Sequence, residues 1–266
     1  MRRTRRGKKA GAKSWAGAAL IAAALAALAA LSLAGFLLRP APVDPETLCR
    51  LDGPPAAHAL ILVDATDRLE ARHKRLLRAV ALQERARLSE GDRFTLMRIN
   101  ARRPHEPSIL FSKCLPKPPE RTNPLFENPR LAQERWDAAF EDGLEAALRS
   151  AQSARRQSAS PIIAGLRAAA ADPDFSRAIA ARRLVLVSDL LEHDSEGFSL
   201  YDSGADYETW AARDPQGPPD LSGVEVRVTA FNRPDHIARQ AETALPFWRR
   251  FFEEADARSA SFDPAP

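Results

Sequence analysis

The chain alternates between short runs that are apolar throughout and longer stretches whose apolar residues recur every three to four positions. Residues 59–63 (Ala-Leu-Ile-Leu-Val) form the first apolar run and lead straight into Asp64. A run with no polar face reads as a central strand covered on both sides. Leu184 to Val187 repeats the pattern and ends in Ser188-Asp189. Residues 93–99 (RFTLMRI) and 108–114 predict two more strands, separated from the preceding helix by a turn at Gly91-Asp92. Val224 to Val228 (VEVRV) alternates, as a strand nearer an edge does.

Helical patterns fill the intervals. Leu69, Leu76, Leu77, Val80 and Leu88 share one face, opposite a face of Arg and Lys read as solvated. Asp67 and Glu70 have the spacing of a capping box at its start. Asn128-Pro129 opens a second helix, with Leu131, Trp136, Phe140, Leu144 and Leu148 on its buried side. Ser160, as N-cap, and Pro161 open a third, which buries Ile162, Ile163 and Leu166 and stops at Asp172-Pro173. The last helix carries Trp248, Phe251 and Phe252, with Pro246 kinking or restarting it. Strands alternating with helices predict an α/β fold with a doubly wound, mostly parallel sheet. The short connection between the second and third strands predicts one antiparallel edge.

A different pattern precedes this domain. Trp15 to Leu38 is uncharged and rich in Ala and Leu, long enough as a helix to cross a hydrocarbon core of about 30 Å. Arg2, Arg3, Arg5, Arg6, Lys8, Lys9 and Lys13 stand before it, which predicts a cytoplasmic N-terminus and an external C-terminal domain. Residues 1–14 are then a basic tail, 15–38 a transmembrane helix, 39–57 an extended Pro-rich linker, 58–258 the folded domain and 259–266 a fraying tail. The corresponding expectation is a bacterial inner-membrane protein with a periplasmic domain. The alternative is a signal peptide cut after Ser32-Leu33-Ala34; the apolar run continues through Phe36, Leu37 and Leu38, which favours an uncleaved anchor.

The seven N-terminal cations change the meaning of the overall charge. The formal net charge is +4, so the part from Arg39 onward sums to −3. The pI near 9.4 is therefore no argument for a nucleic-acid partner, and none is expected. The two cysteines, Cys49 and Cys114, can pair in an external compartment; the other reading is two unrelated thiols.

Three segments should converge at the carboxyl edge of such a sheet: Asp64-Ala65-Thr66-Asp67-Arg68, Ser160-Pro161-Ile162 and Ser188-Asp189. On these residues the chain, from Ala59 to the final helix, resembles a von Willebrand factor type A domain. That family carries an Asp-x-Ser-x-Ser loop after its first strand, a Thr before a later helix and an Asp after its fourth strand, which together form a metal-ion-dependent adhesion site. The resemblance places Asp64 at the first Asp, Thr66 at the first Ser, Ser160 at the Thr and Asp189 at the last Asp. Arg68 departs from the pattern, because a guanidinium offers only donors where the family has a second Ser oxygen. The expectation is that Arg68 points inward, neutralises Asp64 and Asp189 and opposes Mg²⁺. An outward Arg68 would leave four oxygen ligands for a hydrated Mg²⁺. The resemblance thus implies a binding or scaffolding module with a degenerate metal site, no cofactor and an unidentified protein partner. Its alternative is a Mg²⁺-dependent adhesion domain whose ion captures an acidic group.

An enzyme reading is weaker. An Asp ending the first strand also resembles haloacid-dehalogenase-like phosphotransferases, but their general acid–base Asp two residues on is Thr66 here, which cannot do that work near neutral pH. No Gly-x-Ser-x-Gly elbow, Walker loop or Gly-x-Gly-x-x-Gly occurs. The loop after the fourth strand carries Glu192, His193, Asp194 and Glu196. His193 reads as a solvated loop histidine and His73 as a surface residue.

Overall fold

The computed structural model describes residues 11–37, 41–122, 128–153, 157–194 and 197–263. The basic residues from Arg2 to Lys9, and Glu196, lie outside them. The chain divides into two units, Met1–Pro42 and Val43–Pro266. In the first, helix α1 spans Gly11–Leu37. Its Gly17–Phe36 segment has a mean hydropathy of 2.3 and is long and apolar enough to cross a membrane; a signal sequence meets the same description.

In the second unit the order is β1 (Ala57–Val63), α2 (Ala71–Ala86), β2 (Arg93–Arg98), β3 (Ser108–Cys114), α3 (Pro129–Trp136), α4 (Asp142–Gln152), α5 (Ile162–Ala170), β4 (Ala181–Ser188), α6 (Tyr207–Ala211), β5 (Val224–Ala230), α7 (Ile237–Arg239), α8 (Leu245–Glu254) and β6 (Ser259–Asp263). The six strands form one sheet in the order β3-β2-β1-β4-β5-β6. Every neighbouring pair is parallel except β2 with β3. The predicted α/β class, parallel sheet and antiparallel edge are all present.

The unbroken apolar run of β1 has a direct cause. Leu60 and Leu62 pack on one face of the sheet, with α5, α6 and α8; Ala59, Ile61 and Val63 pack on the other, with α2, α3 and α4. All five are fully buried, and each of the larger side chains contributes about 2 kcal/mol. Asn128 caps α3 as expected, accepting from the backbone N–H of Arg130 at 3.0 Å. Leu131, expected on the buried face of that helix, is 42% exposed.

Several expectations fail for identifiable reasons. Residues 259–263, expected to fray, form β6 along the open edge of β5. Phe262 packs on Phe252 with ring centroids 6.2 Å apart, and Arg227 pairs with Asp263. The second half of the linker is not extended. Asp44 Oδ1 accepts from the Thr47 N–H at 2.7 Å, the Thr47 carbonyl accepts from the Cys114 N–H at 2.7 Å, and a disulfide joins Cys49 to Cys114. Helix α2 starts at Ala71 rather than after Asp67, and Glu70 at its N-cap makes no side-chain capping bond; Leu69, 4% exposed, is drawn into the core just before it. His73 is buried rather than at the surface, its ring 4.7 Å from that of Phe231, and burial lowers its pKa. The polar face of α2 is not wholly solvated either. Glu84 is fully buried and receives Arg183 at 3.0 Å, Arg227 at 3.1 Å and Arg87 at 3.4 Å.

Candidate functional site

From β1 the chain moves outward through β2 to β3, then returns to place β4 on the other side of β1. The carboxyl ends of β1 and β4 therefore flank a topological switch point, where helix connections diverge and leave a crevice. Asp64 follows β1 and Asp189 follows β4, and both are buried.

The three predicted segments do converge. Asp64 Oδ1 accepts from the Thr66 hydroxyl at 2.6 Å and from its N–H at 3.1 Å. Asp64 Oδ2 accepts from the Ser160 hydroxyl at 3.0 Å and the Ser188 hydroxyl at 2.8 Å. Ser160 is thus turned toward Asp64 and does not cap α5, whose N-cap is Pro161. The capping work falls to Glu192, whose Oε2 accepts from the Ile163 N–H at 2.9 Å. Burial holds the Glu192 carboxyl well above its ordinary pKa. The Ser160 segment is fixed by reciprocal backbone bonds with His193, at 2.8 and 3.0 Å. The His193 ring is half-buried and bonds the Ser199 hydroxyl at 3.1 Å, so it is not simply solvated.

Asp189 has different surroundings. Its Oδ1 accepts from the Leu191 N–H at 3.1 Å, and its Oδ2 accepts from Arg233 Nε at 2.8 Å. Burial, then repulsion from Asp64, push the Asp189 pKa up to about 6, while Arg233 pulls the other way. Arg233 also comes within 3.8 Å of Asp67.

The internal cation is therefore Arg233 and not Arg68. Arg68 is exposed, on the wall of a cleft of about 740 Å³ that also borders Asp67, Lys74, Gln152, Arg233 and His236. The physical reason is the direction of the chain. Residues 67–70 run away from the acids toward α2, whereas the turn after β5 brings residue 233 back over the end of β4. Sequence reasoning missed Arg233 and Glu192 as working parts of this edge, and placed Ser188 there without a role. The signal for Arg233 was its place in Asn232-Arg233-Pro234, directly after the VEVRVTA strand whose carboxyl end neighbours that of β4.

Asp64, Thr66, Ser160 and Asp189 are all hard oxygen donors, the chemistry that suits Mg²⁺. As arranged they do not fit an ion, because Arg233 already holds an Asp189 oxygen and places a permanent positive charge beside it. Among the described residues no group of three or more His, Cys, Asp or Glu side chains is arranged to hold a metal.

No family model and no curated protein matches the chain. Among solved structures it is similar to a von Willebrand factor type A protein from Catenulispora acidiphila, at 11% identity and a TM-score of 0.35, over 76% of this chain and 42% of that one. It is also similar to a point mutant of the PilB minor pilin from Streptococcus sanguinis, at 10% identity and a TM-score of 0.40, over 81% of this chain and 58% of that one. The chain thus spans about half the length of these two structures.

Proposed function

We propose that this chain is a membrane-anchored, extracytoplasmic binding or scaffolding module without catalytic activity, built on a degenerate von Willebrand A-like domain. α1 is the anchor in this reading, with the basic tail inside and the domain outside. The partner is a protein that docks at the carboxyl edge of the sheet, over the cleft between Arg68 and His236. The observation that carries the proposal is the 2.8 Å bond from Arg233 Nε to Asp189 Oδ2. It neutralises the acid that would otherwise hold an ion or act on a substrate, while leaving a polar cleft open beside it. The hydroxyls of Ser160 and Ser188 both donate to Asp64, and neither is bonded to a histidine ring that would activate it as a nucleophile.

The second reading is a Mg²⁺-dependent adhesion domain. The all-oxygen character of Asp64, Thr66, Ser160 and Asp189 favours it, and it requires Arg233 to withdraw.

Site-specific photo-crosslinking in intact cells tests the docking edge. A crosslinking residue at Arg68, on the cleft, should yield a discrete protein adduct. The same residue at Arg87, at the far end of α2, should not. Equal adducts from both positions, or none from Arg68, would overturn the assignment. Protease added to spheroplasts checks the topology, since full protection of the domain would place it inside.

A further inference from the structure

We infer that Gln240 is a positioning residue that latches Arg233 onto Asp189, so that one amide decides whether the acid at the end of β4 is closed or open. The inference rests on the reading of this edge as the functional site.

The geometry is specific. Gln240 Nε2 donates to the Asp189 carbonyl at 2.8 Å and to the Phe231 carbonyl at 2.7 Å. Gln240 Oε1 accepts from the Arg233 N–H at 2.9 Å. Both donors and the acceptor of one side-chain amide are therefore engaged, and they tie the loop after β4 to the loop after β5. Two carbonyls and one N–H also fix which way the amide faces, because the flipped form would set its oxygen against two carbonyl oxygens.

Gln240 has its orientation set by an irregularity in its helix. It opens a π-helical turn, Gln240–Ala244, in which the Leu245 N–H bonds the Gln240 carbonyl. The turn inserts one residue between α7 and α8, a rotation of about 100° for everything before it compared with an unbroken α-helix. Pro246, in the first turn of α8, has no N–H to give an upstream carbonyl, so the ladder is already interrupted where the extra residue sits.

The other contacts of the Arg233 segment act elsewhere than on its N–H, which bonds Gln240. Asn232, Pro234 and Asp235 are exposed. Phe231 is held by its N–H on the Ser188 carbonyl at 2.7 Å, and the Asn232 carbonyl accepts from Arg72 at 3.2 Å. Arg233 itself has its carbonyl on the His236 N–H at 2.9 Å, within its own short turn, and its guanidinium within 3.8 Å of Asp67. Without Gln240 the Arg233 backbone loses its N–H partner, and the Asp189 loop loses its link to the same anchor. The guanidinium should then exchange between Asp189 and water.

The test uses the full chain, ¹⁵N-labelled, in detergent micelles. The Arg233 Nε–H resonance is assigned by its loss in Arg233→Lys, and its hydrogen exchange is followed in Gln240→Met and Gln240→Ala. The Met variant keeps the length and helix preference of Gln. The expected result is an acceleration of at least ~10-fold for Arg233 Nε–H in both variants, as for a side chain released from a protected bond. The Trp248 indole N–H, which donates to the Leu190 carbonyl at 2.8 Å, should be unchanged. Unaltered Arg233 exchange would overturn the latch. So would equal acceleration of Arg233 and Trp248 in both variants, because Gln240 would then be supporting the helix and not the arginine. Substituting Arg233 itself tests the reading of the site separately, so the two can fail independently.

Discussion

Replacing Asp189 by Asn should stabilise the protein at neutral pH while damaging the site. The Asp189 pKa of about 6 in the fold compares with an ordinary 3.8. Between these values the folded chain binds a proton that the unfolded chain has already lost, so stability falls as pH rises from about 4 to about 6. Above pH 6 the full cost is present, and below pH 4 it is absent. A difference of about two units corresponds to about 3 kcal/mol, and the 7% side-chain exposure of Asp189 leaves little solvent screening to reduce it. This cost already includes the attraction of Arg233. Asn has the shape of the protonated acid and no charge to desolvate. Urea unfolding of both proteins, followed by tryptophan fluorescence in EDTA at pH 4.5 and pH 7.5, reads the effect directly. The variant should be more stable by only about 1 kcal/mol at the lower pH, where part of the cost is already present, and by about 3 kcal/mol at the higher one. A pH-independent difference, or a less stable variant at pH 7.5, would show that Asp189 is ionised comfortably and that Arg233 over-compensates its burial.

Calorimetric titration with Mg²⁺ should show weak or no binding by the unmodified protein and clear binding by Arg233→Ser, which frees an Asp189 oxygen; Arg68→Ser should behave as the unmodified protein, and a gain there instead would reverse the assignment of the internal cation. Removing the disulfide with Cys49→Ser and Cys114→Ser should cost roughly 4 kcal/mol in the chain-entropy model, since the bridge closes a sequence separation of 65 residues. A thermal midpoint within a degree or two of the unmodified protein would show that the turn at Asp44–Thr47 holds the linker without it. Glu192→Gln should be nearly neutral at pH 7, because the amide oxygen still accepts from Ile163, whereas Glu192→Ala should lose about 1–3 kcal/mol by orphaning that N–H; equal chemical-denaturation midpoints for the two would refute the capping role.

The class of the fold and the location of its working edge follow from local patterns in the chain. Periodicity is a local property, so the apolar runs at 59–63 and 184–187 were legible as buried central strands. Asp64 and Asp189 were legible as the residues that end them. The pairing of β3 with β2 in reverse followed from the short connection. An apolar N-terminal helix was equally plain, since its length and lack of charge need no tertiary partner. Which charge meets which depends instead on how the strands are ordered in space. Arg68 directly follows the Asp64–Asp67 loop and Arg233 is far along the chain, yet Arg233 lies on Asp189, because β5 sits beside β4 and its following turn folds back over the acids. Ser160 carries the signature of an N-cap, but a closer carboxylate claims its hydroxyl and leaves Glu192 to serve the helix. Residues 259–263 lack any apolar pattern of their own and become a strand only because β5 offers an unpaired edge. In each case the local signal named a residue's chemistry, and distance through space chose its partner.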